Sequence, residues 1–283
     1  MKAQCILFFL FLFVAPLRAQ DFVPAGSFHG KVKSFEERSY KAHVRNGNVV
    51  KGRSAHEYSG DRDFMYEYDS LGRIASRTWI HKRTRLPFSS LHFSYDSSGR
   101  ILQSRLYESS KGLTRISNYE YTFDDSGRVS LRTVRRGSSG EVYRVKYTYD
   151  ANGYITEIQV TDSLHPENGL KLRLMDQRGH VLQQWEYTGP KLVLFIESSY
   201  DSLYNKTEER WYNKHGKPVL TYRWKYSAAN ELIRYENCRK NDRSCESWTY
   251  KYEYDKNGNW VRRIDYRNGK ARFIKERTIS YWN

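Results

Sequence analysis

One short motif recurs along most of this chain. Four segments are plainly alike: YEYDSLGRI at 66–74, FSYDSSGRI at 93–101, YTFDDSGRV at 121–129 and YTYDANGYI at 147–155. A fifth clear copy, YEYDKNGNW, lies at 252–260, and weaker copies centre on Asp176, Asp201 and Ser227. The anchor residues stand at 69, 96, 124, 150, 176, 201, 227 and 255, so the unit returns every 25–28 residues. A period that short is below the roughly 40 residues of a four-stranded propeller blade and fits two strands and two turns.

The residue before each anchor is large and mostly aromatic (Tyr68, Tyr95, Phe123, Tyr149), while the one before that is mostly polar. Alternation with period two marks a half-buried strand. Asp69, Asp96, Asp124, Asp150 and Asp255 can each accept backbone N–H groups ahead of them, as turn-starting aspartates do. Three residues later come Gly72, Gly99, Gly127, Gly153 and Gly258, suited to the left-handed residue of a three-residue hairpin loop with a bulge. That register sets Asp69 against Arg73 and Tyr68 against Ile74, a favourable cross-strand pair of aromatic and β-branched side chains. Eight units imply about sixteen strands. The expected fold is all-β: tandem hairpins in one long, twisted antiparallel meander that curls or partly closes, with the tyrosine column inside.

The units resemble the YD or RHS repeat family, whose signature is Tyr-x-Tyr-Asp-x-x-Gly-Arg followed by an aliphatic residue. The resemblance covers about 60–283, with Asn259 in place of the arginine in the last copy and a degenerate stretch from 172 to 233. The segment 209–218 is also similar to the aromatic-Asn-Gly-Lys units of MORN-like repeats. Large members of the YD/RHS family build a hollow β-shell around a C-terminal toxin. Here the chain ends at Trp282 and Asn283 and lacks the Asp-Pro segment that closes those shells, so no toxin role is expected. The resemblance implies a small, exported, stand-alone repeat protein of the kind described as a carbohydrate- or surface-binding candidate.

Residues 1–20 read as a signal peptide, with Lys2 before an apolar run and a cleavage point near Ala19. That run is too short to span a bilayer, and no transmembrane anchor or acyl anchor is expected. Processing would take the formal charge from +16 to +14. Residues 21–60 are expected to hold a hairpin capping the first unit, and 61–283 the repeat array. Export, to the periplasm or beyond, favours a disulfide between Cys238 and Cys245 across one hairpin; two free thiols are the alternative.

Little in the sequence points to catalysis. The aspartates recur with one local role, which is how structural residues behave. The eight histidines show no metal-ligand spacing, and no phosphate loop, dinucleotide fingerprint or nucleophile elbow is present. The expectation is a non-enzymatic protein with no cofactor and no metal. Its basic excess suits an anionic glycan or an envelope surface; export argues against nucleic acid. The arginines after the early turns (Arg73, Arg77, Arg100, Arg105, Arg128, Arg132, Arg135, Arg136) also fit simple solvation of the outer face. Trp211, Tyr212, Trp224 and Trp248 fall in or beside the degenerate repeats and are the candidate binding residues, with core packing as the commoner role. A second functional reading is an assembly component that packs on another secreted protein through open sheet ends.

Overall fold

The computed structural model describes residues 28–55, 63–81, 84–137, 140–162, 170–239 and 242–282. The signal-peptide reading lies outside the described residues. Nineteen strands follow one another with no α-helix among the described residues. They are β1 (Val32–Arg45), β2 (Asn48–Ser54), β3 (Phe64–Tyr68), β4 (Ile74–Ile80), β5 (Pro87–Tyr95), β6 (Ile101–Glu108), β7 (Gly112–Phe123), β8 (Val129–Arg136), β9 (Glu141–Tyr149) and β10 (Ile155–Asp162). The remainder are β11 (Lys171–Met175), β12 (Val181–Thr188), β13 (Lys191–Tyr200), β14 (Lys206–Asn213), β15 (Pro218–Tyr226), β16 (Leu232–Arg239), β17 (Ser244–Tyr254), β18 (Trp260–Arg267) and β19 (Lys270–Tyr281).

Each unit is one hairpin, and its register is the one its turn dictates. Asp69 N–H donates to Arg73 O at 2.9 Å, Gly72 N–H donates to Asp69 O at 2.9 Å, and Tyr68 pairs with Ile74. The Asp69 carboxylate accepts the N–H groups of Leu71 and Arg73 and the Arg73 Nε–H, at 2.7–3.0 Å. One residue beyond the turn every such hairpin carries a bulge, between Glu67 and Tyr68 here and between Ser94 and Tyr95 in the next. A bulge interrupts the ladder, and a tyrosine of the following unit meets a carbonyl beside it. Tyr95 Oη donates to Ile74 O (2.6 Å), Tyr121 to Ile101 O (2.8 Å), Tyr149 to Val129 O (2.7 Å), Tyr200 to Val181 O (3.0 Å) and Tyr252 to Leu232 O (2.7 Å). The units are therefore locked by the residues that define them.

The segment 209–218 adds a ninth turn of the same construction at the opposite end of the sheet. Asn213 N–H donates to Lys217 O, and Asn213 Oδ1 accepts from His215 and Lys217.

The meander closes into an 18-strand barrel. The segment expected to cap the first unit pairs on both sides: β1 meets β3 through Phe35 and Tyr66, and meets the last strand, β19, through Glu37 and Arg277. Farther along β1, the β2 strand takes the place of β3. Closure is reinforced by a buried ionic seam on β1, β18 and β19. Glu37 accepts from Arg277 at 2.9 Å and lies 3.8 Å from Lys275, while Asp265 accepts from Arg263 at 2.6 and 2.9 Å. Burial works against the Arg263 charge, and Asp265 more than offsets it, so that guanidinium stays protonated.

Burial tells the two faces apart. On β9, Val145 and Tyr147 are buried while Arg144, Lys146 and Thr148 are exposed; on β17, Trp248 is buried while Thr249, Lys251 and Glu253 are exposed. Side chains converge on the concave face of a closed sheet, so the aromatic face is the inner one. On these two strands the outward positions are polar or charged, where the band of a transmembrane barrel would be apolar. Eighteen strands at about 4.8 Å give a circumference of about 86 Å or more, well beyond the eight-stranded size whose interior side chains just fill.

Candidate functional site: an aromatic inner wall

Following the register inward identifies the wall. Trp224, Tyr235, Trp248 and Arg267 form one row across β15–β18, and Glu209, Tyr222, Asn237 and Glu246 form the next across β14–β17. Trp211 stands beside that second row, opposite Leu220. The structure thus gathers three of the four candidate binding residues, Trp211, Trp224 and Trp248, on one inner panel. It separates the fourth. Tyr212, next in sequence to Trp211, points outward by the period-two rule, pairs with Phe195 and donates to Glu197 at 2.7 Å. With Trp185 and Phe195 it forms a ring ladder on the outer face, centroids 5.4 Å apart at each step.

Two rings that the sequence reading did not single out complete the panel. Tyr222 packs at 5.9 Å from Trp211, 5.9 Å from Trp224 and 6.0 Å from Tyr235, and Tyr235 lies 5.9 Å from Trp224. Their signal was present: both share the parity of Trp224 and Trp248 once strands β15–β17 are paired. Trp211, Tyr222, Trp224 and Tyr235 are half-buried rather than sealed, which leaves part of each ring to the interior. Trp248 is buried against Phe273.

The carboxylates of the panel are held in place. Glu209 accepts the Trp211 indole N–H at 2.6 Å and Lys206 Nζ at 2.5 Å; Glu246 accepts the Trp248 indole N–H at 2.6 Å and an Arg267 N–H. Burial pushes the Tyr235 hydroxyl up, and the charges of Tyr222, Glu246 and Glu209 add to the effect. The same burial, with Glu209, raises Tyr222. Both hydroxyls therefore stay protonated as hydrogen-bond donors across the physiological range. Cys238 and Cys245 pair directly on the opposite face of the same two strands and form a disulfide, with Cα atoms 4.0 Å apart.

The arginines after the early turns do not all solvate the outside. Arg105 and Arg135 are exposed on the outer face, but alternation turns Arg77, Arg132 and Arg136 inward, and Arg73, Arg100 and Arg128 lie over Tyr95, Phe123 and Tyr149 at 4.6–4.9 Å. The barrel interior is thus aromatic on one side and basic on another.

No family model matches the chain, and no curated protein matches it. Solved structures similar to it include a porin-like protein from Bacteroides uniformis, 13 % identical over 91 % of this chain and 99 % of that one, with a TM-score of 0.41. A porin-like protein from Bacteroides vulgatus is 11 % identical over 89 % and 99 % of the two chains, with a TM-score of 0.37. A Tc holotoxin pore of Photorhabdus luminescens is 12 % identical over 81 % of this chain and 15 % of that one, with a TM-score of 0.31. Likenesses at this level assign neither ligand nor activity.

Proposed function

We propose that this is an exported, non-catalytic binding protein whose barrel offers its aromatic inner wall to a glycan. The observation that carries the reading is the panel of Trp211, Tyr222, Trp224 and Tyr235, half-buried on one face, with an anchored carboxylate, Glu209 and Glu246, at either end of the row that holds Tyr222. Sugar rings pack on aromatic side chains and hydrogen-bond to fixed carboxylates and hydroxyls, and the panel supplies both. Hydrolysis is less well served. Three strand spacings separate the backbones of Glu209 and Glu246, about 14 Å, and each carboxylate is already taken by two donors. Closure pairs β1 with β19, which removes the open ends that the assembly reading would use there.

The test is a polysaccharide array followed by titration calorimetry on the best ligand. Trp224→Ala and Trp211→Ala should each weaken binding at least tenfold with an unchanged circular dichroism spectrum. Failure of every glycan to bind, or variants that bind as the parent does, would remove the reading.

A further inference from the structure

The opposite part of the inner wall holds a nearly buried arginine with one nitrogen left unpartnered. Arg132 is only 7 % exposed, and its buried Nε has no hydrogen-bond partner among the described residues. Its neighbours in register are Tyr121 and Val145, and Val134 shares its face on β8. No carboxylate adjoins it there. Across the inner faces of β7, β8 and β9, three guanidiniums (Arg115, Arg132, Arg136) meet one carboxylate, Glu141, which already accepts from Arg136 at 3.0 Å and from Tyr143. Burial, and then the charge of Arg136, weigh against the protonated form of Arg115. Burying an unpaired charge is costly, and native proteins pair such groups or give them a ligand.

Arg77 repeats the pattern on β4. Its Nε is also buried without a partner, and its guanidinium lies among the rings of Phe64, Tyr66 and Trp79 at 4.8–5.8 Å. Both residues are arginine rather than lysine, and a planar fork is the geometry that grips an oxyanion through two parallel hydrogen bonds.

We propose that Arg132, with Arg136 and Arg115 farther along the same wall, forms an oxyanion site, and that the glycan bound by the barrel is acidic, carrying a carboxylate or sulfate group to that site. The second half of this inference rests on the glycan reading above; the anion site stands without it.

Equilibrium dialysis of the whole protein with labelled inorganic sulfate, in chloride buffer of constant ionic strength, tests the site directly. One sulfate per chain is expected, displaced by glucuronate and not by glucose. Arg132→Met should lose that binding at least tenfold and melt no lower than the parent in sulfate-free buffer, because it removes a buried guanidinium whose Nε has no partner. If the methionine variant does not fold, Arg132→Lys keeps the charge without the fork and should bind at least tenfold more weakly. Absence of a sulfate site in the parent, or undiminished binding in the folded variant, overturns the proposal. A parallel titration compares an oligogalacturonate with a neutral malto-oligosaccharide of equal length. Equal affinity for both, with the sulfate site intact, overturns the acidic-glycan half. Sulfate binding without any saccharide binding retains the anion site and discards the glycan. Trp224→Ala should weaken the saccharides and leave sulfate unchanged.

Discussion

Strands β3–β10 and strands β11–β16 build the same hairpin from different residues. In the first group the turn is an aspartate, then a glycine with positive φ, then most often an arginine whose Nε returns to the aspartate, at 2.6–2.7 Å. In the second group the last two positions are Gly179 and His180, then Tyr204 and Asn205, then Asn230 and Glu231, and the third anchor is Ser227. The backbone bonds survive every change: Asp176 to His180, Asp201 to Asn205 and Ser227 to Glu231 close at 2.8–3.0 Å. Tyr204 and Asn230 take up the left-handed conformation that glycine holds elsewhere, each with φ of 65°. The difference teaches that closure needs only an acceptor at the anchor and a tolerated left-handed residue three positions on. Freed from the rest of the motif, the second region collects rings and carboxylates on its inner wall, where the first packs Val129, Val145 and Ile158.

The contrast between a packed wall and an open one is sharpened most by a pair of truncations. Ile158 is 0 % exposed in the first region, and Ile158→Ala should cost about 2–5 kcal/mol in chemical denaturation. Trp224→Ala removes a larger but half-buried ring and should cost about 1–2 kcal/mol. Equal losses would make the aromatic panel a core rather than a binding surface.

Next in size are the anchors themselves. Asp69→Ala abandons three donors and should cost about 1–2 kcal/mol, whereas Ser227→Ala gives up one bond of 3.2 Å to the Glu231 N–H and should cost about 0.5 kcal/mol or less. Thermal melts of the two variants decide whether the turns really differ in how much they rely on the anchor. The same contacts set the acid limb. Donation from the backbone and side chain of Arg128 holds Asp124 below its ordinary value of 3.8; burial pushes Asp96 up, but donation from Arg100 outweighs it and that carboxyl is also held low. A carboxylate held low stabilises the fold above its unfolded pKa and loses that contribution as pH falls through the folded one. The melting temperature should therefore decline below about pH 4, and Asp124→Asn should flatten that decline.

The smallest expected change is a gain. Asn230→Gly should stabilise by about 0.5 kcal/mol, because glycine holds the left-handed conformation without a Cβ clash. A loss instead would show that the Asn205–Asn230 side-chain hydrogen bond matters more to that turn than backbone strain.

Much of this molecule was legible in its sequence, because its rules are local. The pairing of Tyr68 with Ile74 follows from a four-residue spacing between Asp69 and Arg73, and the sixteen strands of β3–β18 follow from eight anchors. The panel was half legible. Tryptophans 211, 224 and 248 stood out as rare residues, but Tyr222 and Tyr235 were lost among 24 tyrosines, and Tyr212 looked like a partner of Trp211 because adjacency in sequence hides opposite faces. The inward turn of Arg132 was not legible, since a basic residue after a turn reads equally as a solvated one.

The sequence alone determined the hairpin, its turn and its alternation, each set by contacts a few residues apart. Only the tertiary structure decided that β1 joins β19 across some 240 residues of chain, and that Arg132 shares the inner face with Tyr121. Curvature is a property of the whole ring: a single hairpin has two faces and no inside. Once the ring closes, the same period-two pattern that spaced the arginines and tryptophans along the chain turns both inward, to opposite sides of one interior.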